Sequence, residues 1–319
     1  MNYELNGKKI LVTGASGFIG SNLVRKIKEA DGKPIPLIRR STSDEKIERL
    51  KGFGKPIAVD LFDYNQVKKL IYETSPDFVI HAAQPLAPKE IDEYPEALFT
   101  TTKNLSNLLK AVADISPNTR FVHTCSSMLY HWKPSAYILK ESTPFAPTSM
   151  RGMLKLNERN VCQYFHIQFN LDIRLARIFR AYGPLDSNKK LIMKVIEALD
   201  NDFDISVGSN DFKRDYLHIN DLCDGILRLL LLDEGRWHEV NFGSGRCYGP
   251  EDIIAEIERI AGKSIRRSHT KYTPNMYDLG RVEANIEKAE KLLSWKPLLS
   301  MKDGIRNTIE WYRNAKEEA

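Results

Sequence analysis

The stretch Lys9-Ile-Leu-Val-Thr-Gly14-Ala-Ser-Gly17-Phe-Ile-Gly20 constrains the fold more than any other part of the chain. It opens with an unbroken run of apolar and β-branched residues, the pattern of a strand buried on both faces. Glycine then recurs at positions 14, 17 and 20. After it, Phe18, Ile19, Leu23, Val24 and Ile27 fall on one apolar stripe at helical spacing. A strand that runs through a glycine turn into a helix leaves the first backbone N–H groups of that helix without intrahelical partners, and the helix dipole adds to their positive end. Such an end seats a phosphate. A Cβ in the turn would hold a pyrophosphate away or clash, so glycine is required. With a strand before and a helix after, the segment predicts a dinucleotide-binding turn in which Gly14, Ser16, Gly17, Phe18, Ile19 and Gly20 surround the phosphates.

Strand and helix patterns alternate beyond this unit. Pro34–Arg39, Pro56–Asp60, Asp77–Ala83, Arg120–Cys125 and Leu171–Ile178 read as further strands. Asn65–Glu73, Pro95–Ile115 and Met150–Phe169 read as helices between them. The alternation predicts an α/β fold of the Rossmann type, a doubly wound parallel sheet with ligands at the C-terminal ends of its strands. From about residue 180 the pattern loosens. Helices at Asn188–Asp200, Ile219–Leu232 and Pro250–Ala261 alternate with short strands and loops. This predicts a dinucleotide-binding domain over 1–179 and a smaller, irregular C-terminal lobe for substrate over 180–319. Segments near 215–243 are expected to return to the first domain.

Composition excludes several classes. No apolar run reaches the ~20 residues of a membrane helix, and the polar first residues do not form a signal peptide. The cysteines at 125, 162, 223 and 247 are scattered without a Cys-x-x-Cys pair. Free thiols in a cytoplasmic protein are expected, with no metal and no membrane partner. The net charge of +5 is mild for 319 residues, and bases are interspersed with acids. That balance argues against a nucleic-acid partner and suits a pocket for a small anion.

The second strand ends in Arg39-Arg40-Ser41-Thr42. In dinucleotide folds an acidic side chain at this place holds the ribose 2′-hydroxyl. Guanidinium groups pair instead with a 2′-phosphate, so NADP(H) is the preferred cofactor, with NAD(H) as the alternative. Asp60, at the end of the third strand, is a candidate acceptor for the adenine amino group.

Taken together, these and later motifs resemble the extended short-chain dehydrogenase/reductases, the nucleotide-sugar epimerase/dehydratase family. The resemblance rests on Thr13-Gly14-Ala-Ser-Gly17-Phe-Ile-Gly20, Asp60-Leu61, His81-Ala82-Ala83 and Thr124-Cys-Ser126-Ser127-Met-Leu-Tyr130. It continues through Arg177-Ile-Phe-Arg180-Ala-Tyr182-Gly183-Pro184, Arg214-Asp215-Tyr216-Leu-His218-Ile-Asn-Asp221, Asn241-Phe-Gly243-Ser-Gly245 and Leu292-Leu-Ser-Trp295-Lys-Pro297. It implies cofactor contacts from Leu61, Ala82, Ala83 and Lys155. The ending Arg39-Arg40-Ser41 also resembles the NADP-using GDP-mannose dehydratase branch, without assigning a substrate.

The family carries Tyr-x-x-x-Lys on the long helix after the fifth strand, with a serine or threonine at that strand's end. The tyrosine exchanges a proton with the sugar, and the lysine favours its phenolate. Here the lysine is Lys155 and the serine position is Ser126, but four residues before the lysine stands Arg151. A guanidinium does not shuttle protons near neutrality. Three readings stay open. Arg151 acts electrostatically while Tyr130, His131 or Tyr137 supplies the proton; the chain binds ligand without this chemistry; or Arg151 is a substitution for a natural tyrosine. In the C-terminal lobe, Arg180, Arg214 and Arg281 stand at family positions around a sugar-nucleotide diphosphate. The resemblance further implies a homodimer built on two long helices from each subunit.

Overall fold

A computed structural model describes residues 5–84, 88–130, 137–269 and 280–317. In chain order its first half runs β1 (Lys9–Thr13), α1 (Phe18–Glu29), β2 (Lys33–Ile38), α2 (Asp44–Glu48), β3 (Ile57–Ala58), α3 (Tyr64–Thr74), β4 (Phe78–His81), α4 (Tyr94–Ile115), β5 (Arg120–Ser126), β6 (Tyr137–Leu139), α5 (Met150–Phe169) and β7 (Ile173–Ile178). The second half runs β8 (Arg180–Tyr182), α6 (Leu191–Asn201), β9 (Ile205–Val207), β10 (Lys213–His218), α7 (Ile219–Leu231), β11 (Trp237–Phe242), β12 (Cys247–Tyr248), α8 (Pro250–Ala261), β13 (Arg267–His269), β14 (Arg281–Ala284), α9 (Glu287–Leu293) and α10 (Met301–Glu317). No helix among the described residues is long and apolar enough to cross a membrane.

The chain divides into two compact units. The first comprises Met1–His131, Pro144–Ile178 and Cys223–Val240; the second comprises Trp132–Thr143, Phe179–Leu222 and Asn241–Ala319. The first is built on a sheet of order β11-β7-β5-β4-β1-β2-β3. Its pairs β1–β2, β1–β4, β2–β3, β4–β5 and β5–β7 are parallel, as a Rossmann-type α/β fold requires. Central strands are mainly apolar because helices cover both faces: Ile10, Leu11, Val12, Val79, Ile80, Phe121 and Val122 are all fully buried. Helix α1 contributes Leu23, Val24 and Ile27 to this core. Local signals set the helix ends. Asp63 caps α3 by accepting from the N–H groups of Asn65 and Gln66, and Ser149 caps α5 by accepting from that of Gly152.

The second unit holds a smaller sheet of order β12-β10-β14-β6, with β8 paired to β10, and a separate β9–β13 pair. Its core gathers Ile192, Val195, Ile196, Ile253, Ile254, Ile257 and Ile305 from α6, α8 and α10. Two features depart from the single cut at residue 179. Strand β6 pairs in parallel with β14 and so belongs to the second unit, although it lies between β5 and α5 in sequence. Within 215–243, β10 stays with the second unit, whereas Cys223–Val240 returns to the first. The third strand is also shorter than expected, because only Ile57 and Ala58 pair, with Leu37 and Ile38.

Candidate active site

Each glycine of the first turn has its own task. Gly14 adopts φ +65°, and a Cβ there would lie 2.7 Å from the backbone of Ala83. The turn therefore packs directly on the chain leaving β4, where the Ala82 N–H donates to the Thr13 carbonyl. A Cβ on Gly20 would run into the Gly14 carbonyl. Gly17 is different: its φ is −81° and a Cβ would meet only the Gly14 oxygen, at 3.2 Å. It is the N-cap of α1, and no side chain caps that helix. The backbone at the start of α1 therefore presents its positive end beside a residue kept free of a side chain. That is what a pyrophosphate needs, and the site fits a dinucleotide.

The residues expected at the adenosine end follow β2 and β3. Arg39 and Arg40 follow β2 and are exposed. The Arg39 guanidinium donates to the Gln84 carbonyl at 3.1 Å and that of Arg40 to Gln66 Oε1 at 3.3 Å. Both contacts are at the surface, so either cation can turn to an anion. Asp60 is exposed and accepts from the Phe62 N–H at 3.0 Å. The Leu61 carbonyl accepts from the Asn107 amide at 3.0 Å.

At the end of β5 the residues assigned to chemistry separate. Lys155 lies on the inner stripe of α5 with Glu158, Cys162 and Phe165. Its ammonium donates to the Thr124 carbonyl at 3.0 Å and pairs with Glu158 Oε2 at 2.7 Å. Ser126 ends β5, and its hydroxyl oxygen accepts from the Met128 N–H at 3.1 Å. Arg151 is exposed in the first turn of α5. Next to it Gly152 is buried, and a Cβ there would strike the Met128 carbonyl. That packing fixes the register in which Arg151 stands four residues before Lys155. Tyr130 is withdrawn from the proton-donor candidates. Its ring is fully buried, its phenol oxygen accepts from Arg177 Nη1 at 2.7 Å, and that arginine is itself paired with Glu239. His131 and the side chain of Tyr137 lie outside the described residues.

Beneath Lys155 is a polar network that the sequence reading missed. Glu158 Oε2 also accepts from His123 Nε2 at 3.1 Å, which places the ring proton on that nitrogen. The His123 ring stacks on His81, with centroids 5.5 Å apart. His81 Nδ1 lies 2.8 Å from Thr13 Oγ1, which accepts from the Ala83 N–H at 3.1 Å. The threonine hydroxyl thus bridges the His81 ring and the backbone that leaves β4. Burial, with the neighbouring His123 adding to it, pushes the His81 pKa down to about 3. Burial likewise lowers that of His123. For Glu158 burial acts upward, but the Lys155 ammonium and His123 outweigh it and hold the carboxyl below the usual carboxylate range. The sequence holds one signal for this network, Lys155 and Glu158 three apart on a helix, while the pairing of His81 with His123 on β4 and β5 emerges only from the strand register.

In the second unit the three arginines do not share one face. Arg180 pairs in register with Tyr216, and its guanidinium lies 5.5 Å from that ring and 3.2 Å from its hydroxyl. Arg214, two residues before Tyr216, shares its face. Arg281 pairs in register with Lys213 and so lies on the opposite face, where it is bound to Glu283. Strand alternation thus sets Arg281 apart from Arg180 and Arg214 on this sheet. Asp215 is a fixture of this unit. It accepts from the N–H groups of Ser244, Gly245 and Ala284 and from the Ser244 hydroxyl, while burial pushes its pKa up to about 6. Among the described residues no group of three or more His, Cys, Asp or Glu could hold a metal ion.

Known proteins resemble this chain over most of its length. UDP-glucuronic acid decarboxylase 1 of Xenopus tropicalis is 24% identical over 325 residues, covering 98% of this chain and 74% of that protein. UDP-glucuronate 4-epimerase of Thermodesulfobacterium geofontis is 26% identical over 321 residues, covering 94% and 95%. The crystal structure of UDP-glucuronic acid 4-epimerase from Bacillus cereus, in complex with UDP-glucuronic acid and NAD, superposes with a TM-score of 0.85 at 25% identity, over 96% of this chain and 99% of that one. The model of the NAD dependent epimerase/dehydratase family matches residues 10–257, and the chain belongs to that family.

Proposed function

We propose that this chain is an NADP(H)-dependent enzyme that modifies a nucleotide-diphosphate sugar by hydride transfer at C4. The observation that carries the reading is the presence, in one unit, of a glycine seat suited to a dinucleotide and of Lys155 and Ser126 at the end of β5. The exposed pair Arg39 and Arg40 favours a cofactor with a 2′-phosphate, and NAD(H) is the alternative carried by several of the related structures. Arg180 and Arg214, on one sheet face, would neutralise the diphosphate.

When bound, the nicotinamide exchanges a hydride with the sugar carbon. The remaining tasks fall to the chain. The N-terminus of α1 holds the pyrophosphate, Ser126 orients the reacting oxygen, and Lys155 places a fixed positive charge under the site. Arg151, at the position of the family's tyrosine, stabilises a developing oxyanion rather than moving a proton. The same residue supports a second reading, a protein that binds cofactor and sugar nucleotide in a regulatory or scaffolding role without turnover. Residence in the cytoplasm and assembly as a homodimer through α4 and α5 complete the proposal. Exposed Met153, Tyr164 and Ile167 on α5 suit the latter.

The test is incubation with UDP-glucuronic acid, UDP-glucose, GDP-mannose and 4-keto sugar nucleotides, with NADP or NAD. Mass spectrometry and nicotinamide absorbance then separate epimerisation, decarboxylation, dehydration and reduction. Conversion establishes the enzyme. Tight binding of cofactor and sugar nucleotide with no conversion establishes the second reading. Failure to bind any dinucleotide overturns both.

A further inference from the structure

Lys155 is not anchored by its own helix alone. Its ammonium is buried, and the carboxylate that neutralises it is equally buried and shared with His123. From there the contacts run without a break through the His123–His81 stack and Thr13 to the Ala83 N–H. Ala83 is the residue whose backbone a Gly14 side chain would strike. The lysine under the end of β5 and the floor of the glycine turn are thus tied by one polar network inside the first unit. Stability alone does not account for such a network. Exchange of a buried ion pair for apolar side chains is commonly neutral or stabilising. This one also leaves Glu158 Oε1 and His123 Nδ1 buried with no hydrogen-bond partner, a standing cost.

We propose that Glu158, oriented by His123, is a positioning residue. It fixes the Lys155 ammonium in the place from which that lysine meets a bound dinucleotide. The proposal rests on the reading of the first unit as a dinucleotide site and adds residues that the Tyr-x-x-x-Lys pattern does not contain. Glu158 touches neither cofactor nor substrate. It acts through Lys155, so its effect on binding must vanish when Lys155 is removed.

The experiment measures NADPH and NADH affinity by protein fluorescence for the full-length protein and for Glu158→Gln, Lys155→Met and the double variant, each checked for a cooperative melt. Glu158→Gln keeps the shape and removes the charge. It should weaken binding roughly ten- to a hundredfold, the scale of loss when a partner that orients a metal-ligating side chain is removed. The double variant should bind no more weakly than Lys155→Met. If Lys155→Met fails to fold, Glu158→Gln is compared with the double variant, in which no lone charge is left buried. Equal affinity then supports the proposal, and a further large loss in the double variant overturns it. Unchanged affinity in folded Glu158→Gln, or equal losses with and without Lys155, also overturns it while leaving the dinucleotide reading intact. A wild-type protein that binds neither NADPH nor NADH overturns that reading and the proposal together.

Discussion

His81 makes the acid sensitivity of the first unit calculable. In the fold its pKa is pushed down to about 3 by burial, whereas in the unfolded chain it returns to about 6.5. Between those values the unfolded chain binds a proton that the folded chain refuses. Stability is therefore complete above the unfolded value and is lost as pH falls through the window. Each pH unit inside it is worth about 1.4 kcal/mol. Going from pH 7 to pH 5 crosses roughly 1.5 units, a loss of about 2 kcal/mol from this residue. Other groups titrate too, and Asp215 has the opposite sign, because its folded value lies above its unfolded one and its contribution fades as pH rises. The measurement is therefore a difference. In His81→Asn the amide takes the place of Nδ1 beside the Thr13 hydroxyl, as donor or acceptor, and nothing titrates. Urea unfolding of both proteins at pH 7 and pH 5 should show the variant less stable at pH 7, through loss of the ring stack on His123. It should also be less sensitive to acid by about 2 kcal/mol. Equal pH sensitivity in the two proteins would refute the assignment of a buried, neutral His81.

Other outcomes follow from the same geometry. Gly17→Val should abolish dinucleotide binding in a titration while leaving the melting temperature nearly unchanged, because its Cβ meets only one backbone oxygen. Gly14→Val should lower the melting temperature as well, since its Cβ strikes Ala83 and its φ is positive. Replacing Arg39 and Arg40 together with alanine should weaken NADPH but not NADH in parallel titrations; equal losses would remove these residues from the cofactor assignment. Arg151→Ala should slow turnover about ten- to a thousandfold if Arg151 stabilises an oxyanion. Arg151→Tyr should impair the native reaction in that case and should raise turnover if the chain is a decayed enzyme. Initial rates on the substrate found in the panel decide between these.

Much of the fold was legible because its signals are local. The glycine turn, the apolar strands and the apolar stripe of α1 are each set by neighbours in sequence. Strand β6 was not legible, since three residues carry no periodicity and its pairing with β14 spans more than a hundred positions. The candidate site divides the same way. The Gly14–Gly20 turn could be read from its spacing, and the place of Lys155 from the family resemblance. The burial of Tyr130 against Arg177, and the path from Glu158 to Thr13, could not. Each depends on which polar side chains the packing encloses, and sequence does not state that.

The contrast between Arg151 and Gly152 has a consequence for how this lineage drifts. Packing guards position 152, where any side chain collides with the Met128 carbonyl. Nothing comparable guards position 151, which faces outward in the first turn of its helix. An arginine there even opposes the helix dipole, by about 0.3–1 kcal/mol. Selection for a folded protein therefore preserves the glycine and is blind to its neighbour, which only selection for chemistry retains. Either a tyrosine or an arginine at 151 is compatible with the same fold. Stability of the fold accordingly says nothing of which side chain stands at 151.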